Sequence, residues 1–250
     1  GFGEAARNVK HAGLDGVELH AAHSYLLGQI LSPTYNIRDD EYGGSVANRC
    51  RLIIEIVEEV RAKVGDDFTI GIRLSYDEFL GESGVTPEQA DEQLEILTAT
   101  GCFDYFNLTR GGYHTLHMAI PPMDSPHGGY VEYGHRARKI VGNRAKLFLV
   151  GRVTGLDEAE AVLQSGAADM VAMTRAQFAD PHLVKKTKEG RGQEIIHCIG
   201  ANECVARIFD NRPAACLVNP TTGREERWGP GTLLPVPPPE RKNIIIVGGG

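Results

Sequence analysis

The sequence holds 250 residues, 42% hydrophobic and 24% charged, an ordinary balance for a globular chain that can bury a core. Its net charge of −7 and pI of about 5.7 offer no basic field to phosphate backbones or an anionic membrane surface, so neither nucleic acid nor membrane is an expected partner. No apolar run reaches the roughly 18 residues of a bilayer span, and the start lacks the pattern of a signal peptide, which predicts a cytoplasmic protein.

Gly1 falls inside a helical pattern and Gly250 inside a glycine-rich turn, so a longer parent chain is expected at both ends. The first predicted strand is Gly16 to His20. A helix follows over Val46 to Val64, with Leu52, Ile53, Ile56, Val57, Val60 and Val64 on one face and Gly65 as its left-handed cap. Phe68 to Ser75 reads as a strand, and a helix starts at Thr86 with Pro87 in first position and ends at Gly101. Strands are then expected over Tyr105 to Thr109, Lys146 to Arg152 and Met170 to Arg175, and a helix from Asp180-Pro181 to Gly190. Such alternation predicts an α/β fold, a (β/α)8 barrel whose strands 4 to 8 are present and whose first strands lie upstream.

Residues 1–195 are assigned to this barrel, 196–228 to a cysteine-bearing loop, 229–241 to a Pro-rich linker, and 242–250 to the first strand and turn of a dinucleotide-binding domain. In that last piece Ile244 to Val247 is the strand and Gly248-Gly249-Gly250 the turn, suited to the pyrophosphate of FAD or NAD(P)H.

A parallel barrel keeps its active site at the C-terminal ends of its strands. After the first strand stand His20, His23 and Tyr25, two imidazoles and a phenol at one exit; a structural hydrogen-bonded pair is the plainer alternative for the histidines. Arg73 lies near the end of an apolar strand, where a charge needs a partner. Gly151-Arg152 and Thr174-Arg175 follow the last two strands, where glycine exposes backbone N–H groups and arginine offers a fork to a phosphate. Cys50 and Cys102 read as buried, inert thiols. Cys198, Cys204 and Cys216 crowd together, which suits a metal site in a reducing compartment better than disulfides, with zinc disfavoured because no Cys-x2-Cys pair occurs.

The stretch Gly16-Val17-Glu18-Leu19-His20-Ala21-Ala22-His23, with Tyr25-Leu26-Leu27, Leu31-Ser32-Pro33, Tyr42-Gly43-Gly44-Ser45 and Asn48-Arg49, resembles the Old Yellow Enzyme family. Gly71 to Ser75, Val150 to Arg152, Met173 to Arg175 and Asp180-Pro181 continue the likeness, and the cysteine segment resembles the branch containing 2,4-dienoyl-CoA reductase and trimethylamine dehydrogenase. The resemblance implies an FMN-dependent oxidoreductase that reduces an activated C=C bond with electrons from NAD(P)H. It makes His20 and His23 donors to the substrate oxygen, Tyr25 the proton donor and His114, close to His117, a second active-site histidine. Arg73 would face the flavin ring, and Gly151, Arg152, Thr174 and Arg175 its phosphate. Cys198, Cys204 and Cys216 match three of the four ligands of a [4Fe–4S] cluster, with Ala201 in the second ligand position. An amine dehydrogenase or demethylase is the alternative, disfavoured by His20, since trimethylamine dehydrogenase has tyrosine there; a catalytically inactive flavin-binding fragment is a third reading. The implied partners are a small-molecule substrate, NAD(P)H or an electron-transfer protein, and a second copy of the chain in a homo-oligomer.

Overall fold

The computed structural model describes residues 1–229, 231–232 and 234–247. They divide into two compact units, Gly1–Asn202 and a second from Glu203 onward.

In the first unit the chain runs α1 (Phe2–His11), β1 (Gly16–Ala21), α2 (Leu26–Leu31), α3 (Val46–Val64), β2 (Thr69–Ser75), α4 (Pro87–Ala99), β3 (Tyr105–Thr109), α5 (Leu116–Ala119), α6 (Val131–Val141), β4 (Lys146–Val150), α7 (Leu156–Gln164), β5 (Met170–Ala172), α8 (Thr174–Ala179) and α9 (Leu183–Lys188). All five strands are parallel and lie in sequence order in one sheet, the arrangement of consecutive (β/α) barrel units.

Alternation along each strand sorts its side chains. Leu19, Ile70, Ile72, Leu74, Phe106, Leu108, Leu147 and Leu149 are buried in one cluster with Ile53, Val57, Val60, Leu94, Leu97, Ala137 and Val141 of the covering helices. The other face of the sheet carries Glu18, His20, Arg73 and Asn107, so polar groups are directed to the barrel interior. Helix starts follow from their caps: Ser45 Oγ accepts from Asn48 N at 3.2 Å before α3, and Thr86 Oγ1 from Gln89 N at 3.4 Å before α4.

Several expectations need correction. β4 ends at Val150 and not at Arg152, because Gly151 (φ 154°) and Arg152 (φ 49°) turn the chain out of the sheet. β5 ends at Ala172, and Thr174 and Arg175 open α8. The helix expected from Asp180 to Gly190 spans only Leu183–Lys188. Asp180 stays outside as an acceptor for His182 N (3.0 Å), Ile196 N (3.0 Å) and Lys186 Nζ (2.6 Å), which holds its carboxyl below the usual range despite burial. Cys50 is fully buried and its thiol pushed up to about 12 by burial, whereas Cys102 is half-buried.

In the second unit the expected cysteine loop holds two helices, α10 (Glu203–Phe209) and α11 (Glu225–Trp228). Arg207 Nε reaches back to Glu203 Oε1 at 2.7 Å, an i,i+4 pair that supports α10. The expected strand over Ile244 to Val247 does not form: these residues are 77–93% exposed, and none pairs with a strand among the described residues. The Gly248–Gly250 turn lies outside the described residues. Among those described, no helix is long and apolar enough to cross a membrane.

Candidate active site

Register sets the interior row. His20 lies opposite Arg73, and Arg73 opposite Asn107, whose Nδ2 donates to a Glu18 oxygen at 2.9 Å. Arg73 is largely enclosed, and its Nε is buried with no acceptor among the described residues. Enclosure pulls the guanidinium below its ordinary range, against the opposing charge of Glu18. The sequence places Arg73 near a strand exit; it sits inside β2, facing the interior.

At the exit of β1 the chain reverses through His23 (φ 55°) and Ser24 (φ 60°), a left-handed pair that returns it toward β2 and β3. His23 N donates to Ser75 Oγ at 3.2 Å, Ser75 Oγ donates to Gly111 O at 3.0 Å, and His23 Nε2 lies 2.9 Å from Thr109 Oγ1. These bonds fix one imidazole over three strand ends. His20 lies beside it, ring centres 5.3 Å apart, and Tyr25 sets its edge against His20 at 5.1 Å. Burial holds His23 down to about 3 and also lowers His20, with Arg73 adding to both. Both imidazoles are therefore predominantly neutral at pH 7, able to donate a hydrogen bond without carrying charge.

His114 joins this group only indirectly. It is exposed and stacks on Tyr35 at 5.9 Å, while its neighbour Tyr113 reaches Tyr25, hydroxyl to hydroxyl, at 2.8 Å.

On the other side, Gly151 is required for close packing: a Cβ there would lie 2.0 Å from the Tyr130 ring. Arg152 donates from Nη2 to Met123 O at 2.8 Å, while its Nε and Nη1 are buried with no acceptor among the described residues. Arg175 donates from Nη1 to Pro121 O at 2.7 Å and to Asn202 Oδ1 at 2.6 Å, and Asn202 Nδ2 donates to Ile120 O at 3.0 Å. The expected phosphate arginines thus also hold the loop over residues 120–123. Buried cationic donors lacking an acceptor among the described residues at Arg73 and Arg152 fit a ligand with ring acceptor atoms and an anionic group, as FMN has.

Sequence reasoning misses Arg110, the residue directly after β3. It is buried between the Tyr130 and Phe79 rings (4.3 and 5.3 Å) and donates to Gly129 O at 3.0 Å and Met118 O at 3.2 Å. Inspecting every strand exit finds it; nothing in the sequence marks Asn202. Cys198 belongs to the first unit and Cys204 and Cys216 to the second, and among the described residues no three His, Cys, Asp or Glu side chains are grouped to hold a metal ion. Ala201 withholds a fourth thiolate.

Relatives with this sequence pattern carry several activities. The multifunctional alkene reductase/demethylase of Caballeronia cordobensis is 39% identical over all of this chain and 35% of its own length. The N,N-dimethylglycine/sarcosine dehydrogenase of Chromohalobacter salexigens is 36% identical over all of this chain and 36% of its own. Among solved structures, a 2-naphthoyl-CoA reductase complex superposes with a TM-score of 0.82 at 33% identity, covering 90% of this chain and 34% of that one. The chain spans about a third of each relative's length. Residues 1–194 match the sequence profile of the NADH:flavin oxidoreductase / NADH oxidase family, and the chain belongs to that family.

Proposed function

We propose that the protein is an FMN-dependent ene-reductase that uses NAD(P)H to reduce the activated C=C bond of an enone or enoyl-CoA. The observation that carries this is the pair of neutral imidazoles, His20 and His23, beside the Tyr25 phenol at the exit of β1. Bound FMN would supply the two-electron carrier, accepting hydride from the nicotinamide and delivering it to the β-carbon of the substrate. Arg73 would hold the ring, and Gly151, Arg152, Thr174 and Arg175 the phosphate.

His20 and His23 donate to the substrate carbonyl oxygen, where negative charge gathers as the β-carbon is reduced. Because both are neutral, they polarise that oxygen without transferring a full proton. Tyr25 delivers its proton to the α-carbon, which becomes basic as the enolate forms. His114, next in the chain to Tyr113, is stacked on Tyr35 and would act on substrate only from outside this pair.

The test is a half-reaction experiment on the full-length protein. Reduced anaerobically, its flavin should be reoxidised by a simple enone, and methylated amines should not reduce the oxidised form. The opposite pattern would establish the second reading, an amine dehydrogenase or demethylase, which the 36% identical N,N-dimethylglycine/sarcosine dehydrogenase favours. A [4Fe–4S] cluster on Cys198, Cys204 and Cys216 is proposed separately. Iron and acid-labile sulfide in anaerobically purified wild-type protein would support it, with greater oxygen resistance expected in Ala201→Cys; iron-free protein would refute it.

A further inference from the structure

Ser24 Oγ is a meeting point of three chain segments. Tyr113 N donates to it at 3.3 Å and Tyr35 Oη at 3.0 Å, and the backbone of Gly112 passes so near that a Cβ there would lie 2.5 Å from it. Ser24 is itself fixed in the left-handed region (φ 60°), and Gln29 Nε2 donates to its carbonyl oxygen at 2.8 Å. The turn after β1 and the loop after β3 are thereby latched residue against residue, which sets Tyr113 directly opposite Tyr25. The two rings meet edge to face with centres 5.7 Å apart and hydroxyls 2.8 Å apart. Tyr113 Oη is the sole hydrogen-bond partner of the Tyr25 hydroxyl among the described residues. The other groups facing the pair are His20 from β1, which meets Tyr25 by ring contact alone, and His114, which is turned onto Tyr35.

We propose that Tyr113 is a positioning residue for Tyr25, latched by Ser24, that orients the Tyr25 hydroxyl and returns a proton to it after each turnover. The proton-return part rests on Tyr25 being the proton donor; the pairing does not. The step conserves charge and involves no redox change. Tyr25 loses its proton to the substrate α-carbon, the Tyr113 O–H proton crosses the hydrogen bond to the Tyr25 oxygen, and exposed Tyr113 regains one from water. Consistent with the pairing, the hydrogen bond to Tyr25 raises the Tyr113 phenol above its ordinary range.

Two measurements on the full-length, flavin-loaded protein test this. The first needs no substrate: tyrosinate ultraviolet absorbance is followed against pH in wild type, Tyr25→Phe, Tyr113→Phe and the double variant. The phenol lost in Tyr113→Phe should titrate at lower pH when Tyr25 is already phenylalanine; an unchanged midpoint overturns the pairing. The second is reoxidation by an enone. Loss of one hydrogen bond should slow it roughly two- to tenfold in Tyr113→Phe, with a changed solvent isotope effect and unaltered reduction by NAD(P)H. Ser24→Ala should do the same more weakly. Adding Tyr113→Phe to Tyr25→Phe should cost nothing further, because Tyr113 acts through Tyr25. An equal slowing in that background would overturn the proposal. Enones that fail to react with wild type would defeat the ene-reductase assignment, while the titration still decides the pairing.

Discussion

The two sides of the sheet's rim are finished differently. At the exits of β1, β2 and β3 the polar groups close on one another: His23 on Thr109 and Ser75, Ser75 on Gly111, Ser24 on Tyr113 and Tyr35. At the exit of β4, Nε and Nη1 of Arg152 are buried with no acceptor among the described residues, and Arg73 Nε on β2 is left the same way. Leaving a buried polar group unsatisfied costs about 1–3 kcal/mol, and more when it is charged. On the proposed function, one side is pre-set by the fold to present neutral donors and a phenol, whereas the other would be completed by an anion. The contrast would then separate reactive groups, which must not wait for a ligand to be oriented, from a cradle whose affinity comes from its unfilled donors.

Substitutions should divide along the same line. The largest effect is expected at Tyr25: Tyr25→Phe should slow reoxidation by an enone by about 10²–10⁴-fold, the usual range for a lost proton donor, and leave reduction by NAD(P)H intact in rapid-mixing kinetics. Equal slowing of both halves would instead mean that Tyr25 only supports the fold. Next in size is Gly151→Ala, whose Cβ would meet the Tyr130 ring at 2.0 Å. Overpacking of that kind costs about 1–3 kcal/mol, read as a lower denaturation midpoint, and should loosen flavin binding because Arg152 moves with the turn. A variant with unchanged midpoint and flavin content would show that this turn is not the constraint described.

The smallest effect is the pH dependence of stability carried by His23. Its folded pKa, about 3, lies below the unfolded value near 6.5. Between these values the unfolded chain binds more protons, so the contribution of neutral His23 is fully present above about pH 6.5 and is lost as pH falls toward about 3. Urea titrations at pH 7 and pH 5 should show a smaller drop in His23→Gln than in wild type. Identical drops would mean that His23 does not stay neutral in the fold.

Much of this architecture is legible in the sequence because each level repeats the same message. The apolar stripe of Val46–Val64 and its stop at Gly65 match the observed helix end for end, and Tyr105–Thr109 matches β3. Strand ends are less legible where a single backbone torsion decides them. The positive φ of Arg152, a residue with no preference for that region, cuts β4 short, and no propensity encodes it. The α10 helix is hidden because cysteine spacing draws attention from the Glu203–Arg207 pair that supports it. Among the candidate site residues, the exit of the first strand marks His20, His23 and Tyr25, whose rings lie side by side. The Tyr25–Tyr113 pair and the hold of Asn202 on the 120–123 loop depend on tertiary latches between segments far apart in the chain, which periodicity cannot reveal.

The division of the rim is tested most directly by FMN titration of full-length apoprotein in wild type, Arg152→Ala and the His20→Ala/His23→Ala double variant. Losing the charged donors of Arg152 should weaken FMN binding roughly ten- to hundredfold, the equivalent of about 1.5–3 kcal/mol for hydrogen bonds to a charged group, while the histidine variant keeps wild-type affinity. Wild-type affinity in Arg152→Ala together with lost affinity in the histidine variant would contradict the account, placing the cradle on the side of the rim assigned here to chemistry.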